Sequence, residues 1–478
     1  MVPGEATGRF LGFLLASPTT SLRYRLYCRA FSAASAIHLL LPDALDEAWL
    51  TPNAAYWLGA ALIAGNGCAL GWLLAAVGLG APLLFLGDQL TQSVYLLACA
   101  CSALVCFVGP GAGRPGRLEE SLPAAVGTLT VGVYAIAALH KLNSGFFDPQ
   151  LSCANGGLAI LADNWALPLP SAAMTAALWP PVFLVVEASV VVLLVVRPVF
   201  GMMLAAAMHI PLTIVFAPSF AFTMISGWVC LLREDEVAHL LGTMRRRYRL
   251  IVGIGAVLGI GSFGLYLVRH WVVYPWWSFK EGLLWVLLAW LVVGWGDGRQ
   301  SREGSEDAPR AHLFRTPFPT SITGRHGRAL AGVVGAVWVL NALTPYTGLR
   351  YHQAGAMLSN LRIDEGCWNS AIFPEAMRIS DPYVRIDEVE VGGSASDQGE
   401  LEATFLNSLW NRGSLERQRE HACRWGGRPI SIAGTYAGEA FAVTDLCETP
   451  WPLGQPPLPH ARGFQENLSR ECAQACIH

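Results

Sequence analysis

The chain has 478 residues, a formal net charge of -3 and a mean hydropathy of +0.41; 53% of its residues are hydrophobic and only 14% are charged. Soluble domains carry about 25% charged residues, so this composition excludes an ordinary soluble enzyme and describes a membrane protein with several apolar runs. No basic stripe with interleaved aromatics is present, which excludes a nucleic-acid partner.

Arg9, Arg23, Arg25 and Arg29 precede or flank a short apolar segment near Tyr27–Leu41. No small-residue cleavage site follows, so the first helices read as uncleaved signals. Asp43, Asp46 and Glu47 form a polar turn. Apolar runs come next at Ala54–Val77 and Ala81–Val108. The second holds Asp88, Gln89, Thr91, Gln92 and Ser93 in its first half. So many polar groups at membrane depth are expected to face a cavity or another helix. A Gly/Pro/Arg loop, Gly109–Glu120, leads into an apolar helix that ends in His140, Lys141 and Asn143, with Phe146 and Phe147 behind them. Asp148–Pro170, with Trp165 and several prolines, reads as interfacial or re-entrant.

Ala172–Val196 contains Glu187, and Val199–Leu232 contains His209. The latter is too long for one simple crossing, and Pro211 or the Ala217–Pro218 pair is expected to break or kink it. Arg245, Arg246, Arg247 and Arg249 crowd the loop 233–249, and the loop 296–328 is Arg-rich too. The positive-inside rule makes both cytoplasmic. Between them lie helices at about Leu250–Val268 and Gly282–Trp295, joined by the aromatic belt HWVVYPWWSFK. A last helix, Ala329–Leu343, delivers the tail outside. The fold expected is an all-α polytopic bundle of about nine crossings over residues 1–343. A small β-rich or α+β extramembrane domain follows over 344–478.

In the tail, Tyr383–Val391, Ile430–Gly438 and Glu439–Asp445 read as strands. Leu401, Phe405 and Leu409 recur every four residues and predict a helix stopping near Gly413. Asn467-Leu468-Ser469 matches a glycosylation acceptor. Seven of the twelve cysteines lie before residue 231, in or beside apolar helices, where thiols act as small hydrophobes. The other five are Cys367, Cys423, Cys447, Cys472 and Cys476. In an oxidising compartment they predict one or two disulfides with one cysteine left over.

Few residues offer chemistry. Lys141 either snorkels to the headgroups or sits desolvated in a pocket, where a neutral amine acts as a base. Glu187 is an ionisable group flanked by long apolar runs, which marks a functional or pairing residue. His209 stands alone in AAAMHIPLTIVF and is equally at home bonded to a carbonyl freed by Pro211. Asp88 sits near a helix start, where it could serve as a cap. No two of Asp88, His140, Glu187 and His209 share a helical ligand spacing, so no metal site is expected. Phosphate loops, nucleophile elbows, CxxC and haem motifs are all absent from the sequence.

Four stretches together carry a resemblance. They are FLGDQLTQSVYLLACA (85–100), ALHKLNSGFF (138–147), the segment from Trp179 to Phe216, and LTPYTGLRYHQAGAMLSNLRIDEG (343–366). In their order and spacing they resemble the horizontally transferred transmembrane (HTTM) domain family, bacterial relatives of vitamin K-dependent γ-glutamyl carboxylase. The resemblance implies a multi-helix domain of the bacterial inner membrane with an outside β-rich domain. It implies that Lys141 is the base that deprotonates a reduced, vitamin K-like quinone, whose oxygenation then yields the strong base for carboxylation. Glu187 and His209 match as the acid and histidine of the next two helices. His140, Asn143, Phe146, Phe147, Asp88 and Gln92 would then line the substrate or quinone site. The family's Asn-His pair reads Gln92-Ser93 here, and IDEGCWNS replaces the usual turn after SNLR. Full γ-carboxylation is therefore not what the resemblance implies.

The residues support two functional readings. One is a membrane enzyme of carboxylase-like, lyase type, acting on a quinol or on a lipid- or membrane-presented peptide substrate, with Lys141 as general base. The alternative is a non-catalytic binding or transport module in which Lys141 and Glu187 form a structural ion pair.

Overall fold

The computed structural model describes residues 21–39, 50–83, 91–108, 117–165, 168, 172–215, 220–269, 275–303, 325–351, 354–356, 358–392, 395–426, 429–447, 468–474 and 476. Two compact units emerge. The first takes Met1–Pro82, Gln92–Ala138 and Gly157–Val339; the second takes Leu83–Thr91, Leu139–Gly156 and Leu340–His478. Residues 139–156 thus group with the C-terminal part of the chain, although they lie within the 1–343 span of the expected membrane domain.

The helices run α1 (Leu22–Leu39), α2 (Leu50–Asn66), α3 (Ala69–Ala81), α4 (Thr91–Val108), α5 (Arg117–His140), α6 (Cys153–Asn164), α7 (Ala172–Val196), α8 (Pro198–Val215), α9 (Phe220–Trp228), α10 (Glu234–Arg269), α11 (Pro275–Glu303) and α12 (Arg325–Leu343). Among the described residues six of them are long and apolar enough to cross a membrane: α4, α5, α7, α10, α11 and α12. Three of the nine expected runs do not give one long apolar helix each.

The first, 27–41, belongs to α1, whose first half carries Arg23, Arg25 and Arg29. Its N-terminus is fixed by the Glu234 carboxylate, which accepts from the Leu22 and Arg23 amides and from Ser21 Oγ. A carboxylate there satisfies amides that lack partners and offsets the helix dipole. The second, 54–77, is a hairpin of α2 and α3. It breaks at Gly67, where φ is +64° and a Cβ would sit 2.7 Å from Tyr24 Cε1. The two helices touch backbone to backbone: a Cβ on Gly59 would lie 2.6 Å from the Ala75 nitrogen. α1 locks onto this hairpin, with the Tyr24 hydroxyl donating to the Gly67 carbonyl and the Tyr27 ring stacked on Trp72 at 5.8 Å. The third, 199–232, is α8 followed by α9. Pro211 lies inside α8; the Ala217–Pro218 pair lies outside the described residues.

The basic segment 233–249 is not a loop. It is the first part of α10, interrupted only at Arg247 (φ −114°, ψ 15°). Partners from α11 explain why it stays helical. Asp297 pairs with Arg246 and Arg247 at 3.5 and 3.6 Å. His239 Nε2 donates to the Gly294 carbonyl, and Trp290 Nε1 to the Leu240 carbonyl. The segment expected as the loop 296–328 begins as helix too, to Glu303, and resumes as helix at Arg325; 304–324 lie outside the described residues.

The second unit holds one antiparallel sheet of order β4-β3-β1-β2-β5. Its strands are β1 (Tyr383–Val391), β2 (Ser408–Asn411), β3 (Ile430–Tyr436), β4 (Glu439–Val443) and β5 (Leu468–Ser469). The apolar alternation of Val384 and Ile386 resumes one residue out of step at Val389 and Val391. The β1–β3 register shifts at that place, between Ile386 and Glu388. Ala437 and Gly438, at φ +53° and +82°, close the β3–β4 hairpin, the left-handed pair that a two-residue hairpin turn demands. The helix expected to reach Gly413 ends earlier. α13 (Ala395–Asn407) stops, Ser408–Asn411 pairs with β1, and Gly413 lies in a new helix, α14 (Arg412–Gly426). Trp410 is buried against Phe405 in the sheet's core, a packing gain that overrides the helical periodicity.

Three disulfides lie in this unit: Cys153–Cys476, Cys367–Cys472 and Cys423–Cys447. This corrects the expectation of one or two bridges and an odd cysteine, because Cys153 is drawn in from the segment after α5. The six free thiols, Cys28, Cys68, Cys99, Cys101, Cys106 and Cys230, all belong to the helical unit. Asn467, the glycosylation candidate, lies outside the described residues. Alkylation of the denatured, unreduced protein with subsequent peptide mapping should modify those six thiols and leave three linked pairs; Cys153 linked to any residue but Cys476 would contradict this arrangement.

Candidate functional site

α5 ends in His140, and the chain then turns a corner held by side-chain bonds. The Asn143 nitrogen donates to the Lys141 carbonyl at 2.9 Å, a tight turn. The Asn143 side chain, buried, then spends its whole hydrogen-bonding capacity on the fold. Its Nδ2 donates to the carbonyls of His140 and Ser359. Its Oδ1 accepts from the Phe146 amide at 2.8 Å, capping the single turn Ser144–Phe147, and from Asn369 Nδ2 at 3.4 Å. The chain continues beside residues 369–371, with Ser144 N donating to the Asn369 carbonyl and Ala371 N to the Leu142 carbonyl.

His140 is committed in the same way. Its Nε2 lies 3.2 Å from the Ala354 carbonyl and its Nδ1 2.9 Å from the Tyr346 hydroxyl. A carbonyl only accepts, so Nε2 carries the proton and Nδ1 accepts from Tyr346. Burial pushes the Tyr346 hydroxyl up from its ordinary value, which keeps it a protonated donor. The Tyr346 ring packs on Phe373 at 4.2 Å.

Lys141 stands between these two fixed residues and is only 3% exposed. A snorkelling lysine leaves its head in water; this one is enclosed by protein. Phe146 is fully buried, and Phe147, 39% exposed, meets it edge to face at 5.7 Å.

The surroundings of this corner are laced from the C-terminal part of the second unit. Asn360 receives the Cys153 amide on Oδ1 and donates Nδ2 to the Leu151 carbonyl. Arg362 forms a buried bidentate pair with Asp364 at 2.7 and 2.8 Å. It also donates to the carbonyls of Ser469 and Glu471. The stretch SNLRID is thus structural: it ties residues 151–153 to 469–474.

In the helical unit His209 meets a residue that the sequence did not single out. Tyr134 of α5, buried, bonds His209 Nε2 at 2.8 Å. His209 in turn lies among Phe220 and Trp228, at ring distances of 5.7 and 6.3 Å. Glu187 is buried on α7. Gln92 is buried at the start of α4, and beside it Ser93 Oγ bonds His38 Nε2 at 2.9 Å. The serine found where the family pattern has a histidine thus meets a histidine from α1. Asp88 lies outside the described residues. Among the described residues no group of three or more His, Cys, Asp or Glu could hold a metal.

Tyr134 lies inside GVYAIAALHK, the stretch that ends in Lys141, and a buried tyrosine usually finds a hydrogen-bond partner; that was the available signal. Tyr346, Asn360 and Asn369 had none, because their partners are up to more than two hundred residues away in sequence.

Comparison of the chain with protein-family models, with curated proteins and with solved structures finds no match in any of the three. The resemblance to the HTTM family rests on the four sequence stretches alone.

Asn143→Ala should cost about 2–5 kcal/mol, since it strips partners from several buried backbone groups at once. Chemical denaturation of the purified protein in detergent measures this. Tyr346→Phe removes one hydroxyl and should cost about 1–2 kcal/mol; a loss as large as that of Asn143→Ala would show that His140 depends on Tyr346 for more than one bond.

Proposed function

We propose that the chain is an inner-membrane enzyme of HTTM type that acts on a reduced, lipid-soluble quinone or a membrane-presented substrate, with Lys141 as general base. The observation that carries this reading is the burial of Lys141 between two residues whose polar atoms are fully engaged. His140 and Asn143 fix the backbone on either side of the lysine, so the corner holds an amine in place away from water. A base so held typically contributes about 10²–10⁴-fold to a rate.

A hydroquinone needs an apolar surround and a proton acceptor near its hydroxyl, and the second unit supplies both kinds of group: the Lys141 amine and the Phe146–Phe147 rings. Bound there, the quinol would supply the reducing equivalents. Lys141 Nζ would take the hydroxyl proton, while His140 and Asn143 orient the segment. The bonded Tyr134 and His209 form a second buried polar group in the helical unit, suited to holding or passing a proton within the bundle.

The orientation belongs to the same reading. Disulfides confined to the second unit and free thiols confined to the first suit a second unit in an oxidising compartment and a bundle in the membrane. The Arg-bearing segments 233–249 and 296–328 would then be cytoplasmic. An N-terminus on the cytoplasmic side with the second unit outside needs an odd number of crossings. At least one short apolar helix therefore crosses in addition to the six long ones.

The protein in nanodiscs should accelerate the consumption of an added reduced naphthoquinone. Lys141→Ala should lower that rate by at least about 100-fold while the protein still folds, and an added primary amine should restore part of it. A folded Lys141→Ala variant with an unchanged rate would sink the proposal. If Lys141→Met and Glu187→Leu each destabilise the protein and the double variant recovers, the lysine is one half of a structural pair instead.

A further inference from the structure

Between Glu236 and Glu281 the sequence holds no Asp or Glu, yet it holds Arg245, Arg246, Arg247 and Arg249 in close succession. All four arginines and the Tyr248 among them are exposed. They lie in α10, which belongs to the helical unit throughout. An exposed run of charge is ordinarily just solvated; the surroundings of this one set it apart.

The charge is only partly met. Asp297 of α11 lies 3.5 and 3.6 Å from Arg246 and Arg247. One carboxylate cannot engage all the donors of two guanidinium groups, and four arginines against one aspartate leave a local excess of three positive charges. Arg245 has no hydrogen bond or ion pair among the described residues. Arg249 donates Nε to the Tyr248 hydroxyl at 2.9 Å and lies 5.7 Å from the centre of that ring. Those contacts fix its place and leave its charge uncompensated. The position is equally marked. Directly after Arg249 the exposed side chains of α10 turn apolar: Leu250, Val252, Ile254, Val257, Leu258 and Ile260. α10 is long and apolar enough to cross a membrane. In a spanning helix, the place where outward-facing arginine gives way to outward-facing leucine is the level of the lipid headgroups, and a tyrosine suits that level too.

We infer that the segment Arg245–Arg249 is a binding site for the phosphate headgroup of an anionic phospholipid. Arg245 and Arg249 supply uncompensated guanidinium groups, whose paired N–H donors match phosphate oxygens. Asp297 braces Arg246 and Arg247 and keeps the cluster together. The apolar surface one residue away selects a lipid over a soluble anion, since acyl chains cover it while the headgroup meets the arginines. The inference rests on the reading of α10 as a span. A lipid held here fixes the depth of α10 and, through the His239–Gly294 and Trp290–Leu240 bonds, of α11.

The full chain in phosphatidylcholine vesicles, carrying a trace of spin-labelled phosphatidylglycerol or of spin-labelled phosphatidylcholine, tests this. Electron spin resonance reads the share of each label immobilised on the protein. The unaltered chain should prefer phosphatidylglycerol by at least about threefold at low salt, and about 1 M NaCl should remove most of the preference. Arg245→Gln combined with Arg249→Gln, which spares the Asp297 pairs, should remove it as well. Arg25→Gln combined with Arg29→Gln, which takes the same charge from exposed positions on α1, should not. No preference in the unaltered chain, or equal loss in both double variants, would overturn the site and leave the span reading intact. No immobilised label of either kind would overturn the span reading itself. Loss of the preference on adding about 10 mM sodium phosphate at constant ionic strength would make a free anion the occupant and overturn lipid.

Discussion

The carboxamide of Asn143 is the interaction on which the second unit depends. One buried side chain satisfies the last carbonyl of α5, the carbonyl of Ser359, the amide that opens the Ser144–Phe147 turn and, more weakly, the side chain of Asn369. Buried carbonyls and amides left without such a bond cost far more than a hydrogen bond gains. The corner is therefore rigid because it is saturated. Lys141 is set between the saturated His140 and the saturated Asn143, so its backbone is held on both sides. Residues that hold the backbone in this way are what a preorganised site would require on either side of its working group.

Much of this was legible in the sequence, and the parts that were not share a cause. Tyr383–Val391, Ile430–Tyr436 and Glu439–Val443 announce themselves as strands through alternation and a hairpin turn, both local properties. α7 and α12 are apolar enough to be placed to within a few residues. Where the reading failed, tertiary partners had overruled local pattern. Leu409 continues a helical period yet pairs as a strand, because β1 and Leu468 offer it partners on both sides. The arginines of 245–249 look like a loop yet lie within α10, kinked only at Arg247, where α11 packs alongside through Asp297 and Trp290. The hairpin at Gly67 hides inside one long apolar run, since hydropathy does not register a left-handed residue.

The candidate site divides in the same way. Lys141, Glu187 and His209 stand out because an ionisable group in an apolar run is conspicuous. Tyr134, which bonds His209, is less so. The groups that fix the corner were illegible: Tyr346, Asn360 and Asn369 are ordinary polar residues whose importance lies entirely in what they touch. Cys153 was misassigned for the same reason, being counted with apolar neighbours in sequence when its partner is Cys476.

That last pairing has a consequence for how the molecule comes into being. Cys153 and Cys476 are separated by 323 residues, and the buried Arg362–Asp364 pair also reaches residues 469–474. The bundle helices can insert one after another as the ribosome delivers them. The surroundings of Lys141 cannot be finished until the segment around Cys476 has emerged, because loop closure over so long a stretch waits for its far end. A chain interrupted early would be seated in the membrane yet lack the lacing that holds its lysine. Assembly order thus works as a form of timing control: the segment after α5 stays unlaced until synthesis has passed Cys476.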